Sequence, residues 1–307
     1  MTWVIGIDLG GSKIALGLVS PDDQILNRRR IDTDADEGVE SVTDRISAQV
    51  DSLKLDLPRR ETVAGVGVGA PGLLDPVSGD LYMLVNLPGI SNTPFRAILQ
   101  EKLSLPVKLD HDAKVAALGE FHFGAGRDRD SMIYIVIGTG VGAAIIYEGR
   151  LIYGESNSAG ESGHMTVDPN GRLCHCGSRG CLETYTSGPA LVKAYAAASG
   201  ETITGAEVTR RAAAGDVVAL RVLREAGRAL GIAIASIAMT VNIEQFVIGG
   251  SVASAGDLLL DPARAAVPKY SFKAVSDRLR ITASTLGEDA PIYGAAYLAR
   301  MLLRNRP

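Results

Sequence analysis

A chain of 307 residues, 46% hydrophobic and 21% charged, carries enough apolar material for packed cores in two domains of ordinary size. Its formal net charge of −4 supplies no electrostatic reason to bind nucleic acid, and no apolar run is long enough to cross a bilayer. The start, MTWVIGIDLGG, lacks the basic-then-apolar pattern of an export signal, so a cytoplasmic protein is expected.

Trp3 to Asp8 is a β-rich run. It turns through Gly10-Gly11-Ser12-Lys13 into a second run, Ile14 to Val19, and a third is expected over Gln24 to Ile31. Strand, glycine turn, strand differs from the dinucleotide fold, in which the glycines open a helix. Helix is predicted over Val39 to Leu53 and strand over Val63 to Gly69. A helix over Pro94 to Leu103 follows Thr93 as cap candidate, with Pro in its first turn. A strand at Val107 to Leu109 leads into a helix from Asp112 to Phe123, with Val115, Leu118 and His122 or Phe123 along one side.

The opening pattern then returns. Met132 to Ile137 turns at Gly138-Thr139-Gly140 into Val141 to Tyr147, which turns again into Leu151-Ile152-Tyr153. Two glycine-cornered β-meanders point to an internally duplicated α/β protein, with a ligand expected in the cleft between the copies. Helices follow around Pro189 to Ser199, Gly205 to Ala214 and Val217 to Thr240. A strand at Gln245 to Ile248 ends in Gly249-Gly250, another lies near Arg278 to Ala283, and a helix over Pro291 to Arg304 closes the chain. The expected division is a smaller α/β domain over 1–111, a larger one over 112–290, and a C-terminal helix, about 291–307, packing back on the first.

All three cysteines follow a histidine in one stretch: His164, Cys174, Cys176 and Cys181, spaced H-x9-C-x-C-x4-C. Three thiols and an imidazole make a tetrahedral donor set for a structural Zn2+, and thiols without disulfide partners suit a reducing compartment. His175 would compete as a ligand, but its place between two ligands is strained, so His164 is favoured. The same loop carries Glu161 and Glu183. Carboxylate and imidazole groups suit the vicinal hydroxyls of a sugar, and His164 would use one ring nitrogen for each task.

At the first corner, Gly10 and Gly11 let backbone N–H groups approach a polyphosphate. Ser12 and Lys13 would assist, and Asp8 would hold Mg2+ directly or through water. Gly138, Thr139, Gly140 and Gly142 repeat the device, and Gly249-Gly250 would present backbone to an adenine or ribose. Tight turns need glycine too, but two such corners favour a nucleotide. In His111-Asp112-Ala113-Lys114, Asp112 stands where a strand becomes a helix. It is either a helix cap or the general base that accepts a proton from an attacking hydroxyl. Pro71-Gly72 and Asn86-Leu87-Pro88-Gly89 are turns that would line a polar pocket or serve only as turns.

Taken together, these residues resemble the ROK family of repressors and sugar kinases, and within it the bacterial glucokinases. The resemblance runs from Asp8 to about Gly294. Its most specific part is Gly160-Glu161-Ser162-Gly163-His164 leading into the C-x-C-G-x-x-G-C-x-E core, Cys174 to Glu183. It implies an actin-like, hexokinase-like (ribonuclease H-like) fold of two α/β domains with ATP and sugar in a central cleft. It implies Asp112 as catalytic base, and Glu161, His164 and Glu183 on sugar hydroxyls. Gly72, Asn86 and His111 would lie near the sugar, with zinc on His164, Cys174, Cys176 and Cys181. The expected activity is ATP-dependent, Mg2+-assisted phosphorylation of the 6-hydroxyl of an aldohexose, glucose first. Mannose, fructose, allose or an N-acetylhexosamine are the alternative acceptors. One sequence departure bears on the sugar: the family's Asn-Asp-Ala-Asn reads His111-Asp112-Ala113-Lys114 here. A sugar-sensing regulator without catalysis is the rival class. The phosphate corner by residue 8 leaves no room for a DNA-binding helix-turn-helix, and Asp112 is retained. A homo-oligomer, dimer or tetramer, is the expected assembly, with no nucleic-acid or membrane partner.

Overall fold

The computed structural model describes residues 2–83 and 87–304. In chain order the elements are β1 (Trp3–Leu9), β2 (Lys13–Val19), β3 (Ile25–Asp32), α1 (Gly38–Lys54), β4 (Val63–Ala70), β5 (Leu73–Leu74), β6 (Leu81–Met83), α2 (Phe95–Leu103), β7 (Val107–His111) and α3 (Asp112–Phe123). There follow β8 (Met132–Ile137), β9 (Val141–Tyr147), β10 (Arg150–Leu151), α4 (Glu183–Thr186), α5 (Gly188–Ser199), α6 (Gly205–Ala213) and α7 (Val217–Val241). The last are β11 (Gln245–Gly249), α8 (Asp257–Tyr270), α9 (Lys273–Ser276), β12 (Arg280–Ala283) and α10 (Ala290–Arg304).

The chain forms two compact units: one runs to Gly124 and resumes at Glu288, and the other is Ala125–Gly287. The expected boundary at 111/112 is therefore displaced, because α3 belongs to the first unit. The cause is packing against α10: a Cβ on Gly294 would lie 1.7 Å from the Val115 carbonyl oxygen, so the helices meet backbone to backbone.

In the first unit the sheet order is β3-β2-β1-β4-β7. β1 pairs antiparallel with β2 and parallel with β4, and β4 pairs parallel with β7. Alternation along β1 sends Ile5, Ile7 and Leu9 to a core with Val42, Ile46 and Val50 of α1 and Phe95 and Leu99 of α2. Val4 faces the other way, to Ile292, Ala296 and Ala299 of α10. Cross-strand register brings Asp8 opposite Gly69, and Ala70 opposite His111. The carboxyl ends of three parallel strands thus form one edge, the usual ligand position in an open α/β sheet.

In the second unit the order β10-β9-β8-β11-β12 repeats the first unit's pattern, antiparallel at β8–β9–β10 and parallel at β8–β11–β12. Ile133, Ile135, Phe246 and Ile248 pack with Leu223, Leu230 and Ile234 of α7. Asp216 caps α7 by accepting the Ala219 N–H at 2.8 Å, and Asn242 ends it in the left-handed region at φ 53°. The duplication expected from the two meanders is thus visible in the topology.

Three local expectations need correction. Thr93 does not cap α2; its hydroxyl donates to the Ile90 carbonyl at 2.7 Å, and Pro94 occupies the cap position itself. The run 151–153 is shorter than expected: Arg150–Leu151 pair with β9, and the Ile152 N–H adds one bond to the Ile145 carbonyl at 2.9 Å. α3 is buried on all sides from Ala113 to Phe121 rather than along one stripe. Among the described residues no helix is long and apolar enough to cross a membrane.

Candidate active site

In the first unit, Asp8 ends β1 and is half-buried. Burial, then the nearby Asp112 charge, raises its carboxyl to about 7, against an opposing pull from Arg30. The corner beyond it is closed by the Gly10 N–H donating to the Lys13 carbonyl at 2.9 Å. Thr33 pins it from β3's end, its hydroxyl on the Gly10 carbonyl at 2.8 Å and its N–H on the Ser12 carbonyl at 2.9 Å. Gly11, Ser12 and Lys13 are exposed. Gly72 has φ 81° in the turn between β4 and β5. Asn86 lies outside the described residues.

Asp112 is the first residue of α3, and its Oδ1 accepts the N–H of its own neighbour Ala113 at 2.6 Å. The cap position belongs to His111, whose side chain makes no cap bond. Asp112 therefore does not cap α3 in the usual way, onto the second or third helical N–H. His111 Nδ1 lies 3.1 Å from Asp112 Oδ1. The His111 N–H donates to Oδ1 of Asp110, a fully buried carboxylate, at 2.7 Å. Lys114 is buried as well.

In the second unit, the Gly138 N–H donates to the Gly140 carbonyl at 2.9 Å, closing the β8–β9 corner, and the Gly188 N–H donates to the Gly138 carbonyl at 2.8 Å. Gly250 approaches this corner from β11: with φ 86°, a Cβ there would lie 2.3 Å from the Ile137 carbonyl oxygen, so only glycine fits. The structure thus brings Gly138–Gly142 and Gly249-Gly250 to one edge of one sheet. Glu183, at the start of α4, joins them: its Oε2 accepts the Val141 N–H at 2.9 Å. Its Oε1 lies 3.3 Å from His175 Nδ1. Glu161 is exposed at the head of the short 3-10 turn Ser162–His164.

The donor atoms of His164, Cys174, Cys176 and Cys181 all lie within 4.8 Å of one another. His164 Nδ1 is 3.7 Å from Cys174 Sγ, and Cys176 Sγ is 3.6 Å from Cys181 Sγ. Sulfurs around a tetrahedral zinc with Zn–S of about 2.3 Å stand about 3.7 Å apart, so the donor set fits that ion. Burial pushes the Cys181 thiol up to about 12, and a backbone hydrogen bond at Ser178 lowers the Cys176 thiol. Cys174, His175 and Glu183 form a second grouping within the same distance. It offers only three donors, and it shares Cys174 with the first grouping.

Several partners had no local sequence signal: Thr33 behind the first corner, Val141 beneath Glu183, and the props of the cysteine loop. Arg172 lies 4.6 Å from the Tyr185 ring centre and donates to Glu225 and to the Thr184 carbonyl, each at 2.8 Å, while the Tyr185 hydroxyl donates to Asp168 at 3.1 Å. All are non-local pairings. The first unit thus gathers Asp8, the 10–13 corner, His111 and Asp112, and the second gathers the other glycines, Glu183 and the cysteine loop.

A model of the ROK family matches residues 4–301. The glucokinase of Halalkalibacterium halodurans is 35% identical over 97% of this chain and 95% of its own. Among solved structures, a ROK hexokinase from Thermus thermophilus has a TM-score of 0.84 at 32% identity, covering 99% of this chain and 100% of the other. A ROK family glucokinase from Streptomyces griseus, in complex with glucose and AMPPNP, has a TM-score of 0.83 at 34% identity, covering 97% and 99%. An N-acetylmannosamine kinase of Citrobacter koseri is 32% identical over 96% of this chain and 98% of its own.

Proposed function

Since the chain belongs to the ROK family and is a sugar kinase with the actin-like, hexokinase-like fold, we propose that it transfers the γ-phosphoryl group of ATP to the 6-hydroxyl of an aldohexose, with glucose as the preferred acceptor. The observation that carries the reading is Asp112. It starts a helix at the carboxyl edge of a parallel sheet and is not consumed as that helix's cap. One carboxylate oxygen takes the Ala113 N–H, and the other accepts no hydrogen bond from a described residue. A hydroxyl proton would pass to that second oxygen as the sugar oxygen bonds to phosphorus and the β–γ bridging bond breaks, releasing ADP.

The glycine corners Gly10–Lys13 and Gly138–Gly142, with Gly249-Gly250, would receive ATP through backbone N–H groups, Thr139 contributing at the second corner. Glu161, His164 and Glu183 would accept sugar hydroxyls, and Gly72, Asn86 and His111 would also serve the sugar. Asp8 would hold Mg2+, which supplies positive charge to the phosphates. Burial and the Asp112 charge raise its protonation midpoint, and a bound cation would favour the ionised form. Zn2+ on His164, Cys174, Cys176 and Cys181 would fix the loop that carries Glu183. The reading keeps a cytoplasmic homo-oligomer as the working form of the protein.

The N-acetylmannosamine kinase relative supports a second reading, the same chemistry on an N-acetylhexosamine. A coupled ADP-release assay with glucose, mannose, fructose, allose and N-acetylmannosamine separates the two. The first reading expects the highest kcat/KM on glucose. A kcat/KM at least tenfold higher on N-acetylmannosamine would establish the second, and silence with every sugar would refute both.

A further inference from the structure

His111 ends β7 opposite Ala70, and its backbone is fixed by donation to buried Asp110. Its side chain is 25% exposed, that of Asp112 is 40% exposed, and Nδ1 stands 3.1 Å from Asp112 Oδ1. The Ala113 N–H reaches the same oxygen at 2.6 Å. At this distance the pair is a close approach that a small turn of the imidazole would align. An ionised carboxylate only accepts, so the contact is attractive when Nδ1 carries the proton. The torsion that swings a carboxylate about its bond is soft, and one donor leaves the group free to turn.

We propose that His111 is a positioning residue: with the Ala113 N–H it holds Asp112 Oδ1 and so reserves Oδ2 for the proton of the attacking hydroxyl. This rests on Asp112 being the base. It changes what is expected of His111, because the nitrogen given to Asp112 is withdrawn from the sugar and only Nε2 remains for a direct contact. Proper aim of a catalytic group is worth up to about 100-fold per ångström of misplacement, so a donor at this spot has measurable weight.

Steady-state kinetics on five variants tests it, with thermal melts to confirm folding. His111→Ala removes the donor. His111→Asn keeps an N–H two bonds from Cβ, where Nδ1 sits, and His111→Gln moves it one carbon away. The expected result is a kcat lowered roughly 10–100-fold in His111→Ala and His111→Gln, with KM for the sugar within about threefold of the parent. His111→Asn is expected to stay within about threefold in kcat. Adding His111→Ala to Asp112→Asn should cost nothing more, because the two side chains act as a unit. A raised KM at unchanged kcat in His111→Ala would instead make His111 a plain sugar contact and overturn the proposal. So would His111→Asn as slow as His111→Ala, or His111→Gln as fast as the parent. Failure of the underlying reading shows separately, as Asp112→Asn turning over at the parental rate.

Discussion

The two candidate regions are built by different means. In the first unit Asp8 and His111 lie at the carboxyl ends of β1 and β7, the two strands that flank β4, and Asp112 opens α3 directly after β7, so sheet register places all three. In the second unit Glu183 hangs from a loop whose order depends on side chains: four metal-type donors, the Arg172–Tyr185 contact and one bond to Val141. A sheet edge keeps its backbone when one side chain is lost, even where the aim of a neighbouring side chain changes. A pinned loop loses its geometry with its pins. Substitutions at His111 and Asp112 should therefore change chemistry and leave stability at neutral pH nearly alone, and those in the second region should change both.

The largest effect is expected from Asp112→Asn, which keeps the shape and removes the proposed base. Turnover should fall about 10²–10⁴-fold, with glucose binding by calorimetry and the melting temperature nearly unchanged. A melting temperature that fell with activity would erase the contrast between the regions. Next comes Cys176→Ser in the second. Zinc content should drop from one per chain towards none, and melting should fall by roughly 6–12 °C, the shift given by about 3 kcal/mol in a domain of this size. Equal metal content in both proteins would break the claim that a metal pins the loop. Glu183→Gln should raise KM for the sugar roughly 10–100-fold, the worth of a hydrogen bond to a charged group, while kcat falls less.

A smaller effect separates the regions by pH. Asp8 has a folded-state pKa raised from 3.8 to about 7, so the folded protein holds that proton more tightly than the unfolded chain. The associated stability is fully present below pH 3.8 and is lost as pH rises towards 7. Asp8→Asn should therefore gain in melting temperature relative to the parent as pH goes from 4 to 7. A constant difference across that range would contradict the assignment. The smallest effect belongs to the return point of the chain, where Arg28 holds Asp289 at 2.6 Å with its side chain 53% exposed. Arg28→Gln should cost no more than about 1 kcal/mol in denaturant unfolding, as exposed pairs do.

What the sequence disclosed depended on whether the cause was local. The β-meanders were legible because runs such as Met132–Ile137 alternate little and carry no breakers, and the cysteine loop was legible because its donors lie close along the chain. α8 was not assigned, since Pro262 and Pro268 interrupt it and argue against helix, yet it packs on α7 through Leu259, Leu260 and Ala263. The unit boundary was misplaced because α3 is held by α10, far along the sequence. The partners that give the site its electrostatics, Asp8 with Asp112 and Glu183 with Val141, meet only through sheet register or loop closure, which no spacing rule records.

The central claim is a phosphoryl transfer from ATP to one hydroxyl of a hexose. Phosphorus NMR of a reaction containing the purified protein, ATP, Mg2+ and glucose tests it most directly. The account expects ADP and glucose 6-phosphate to appear in equal amounts. ADP with free inorganic phosphate, or phosphate on another hydroxyl, would contradict it.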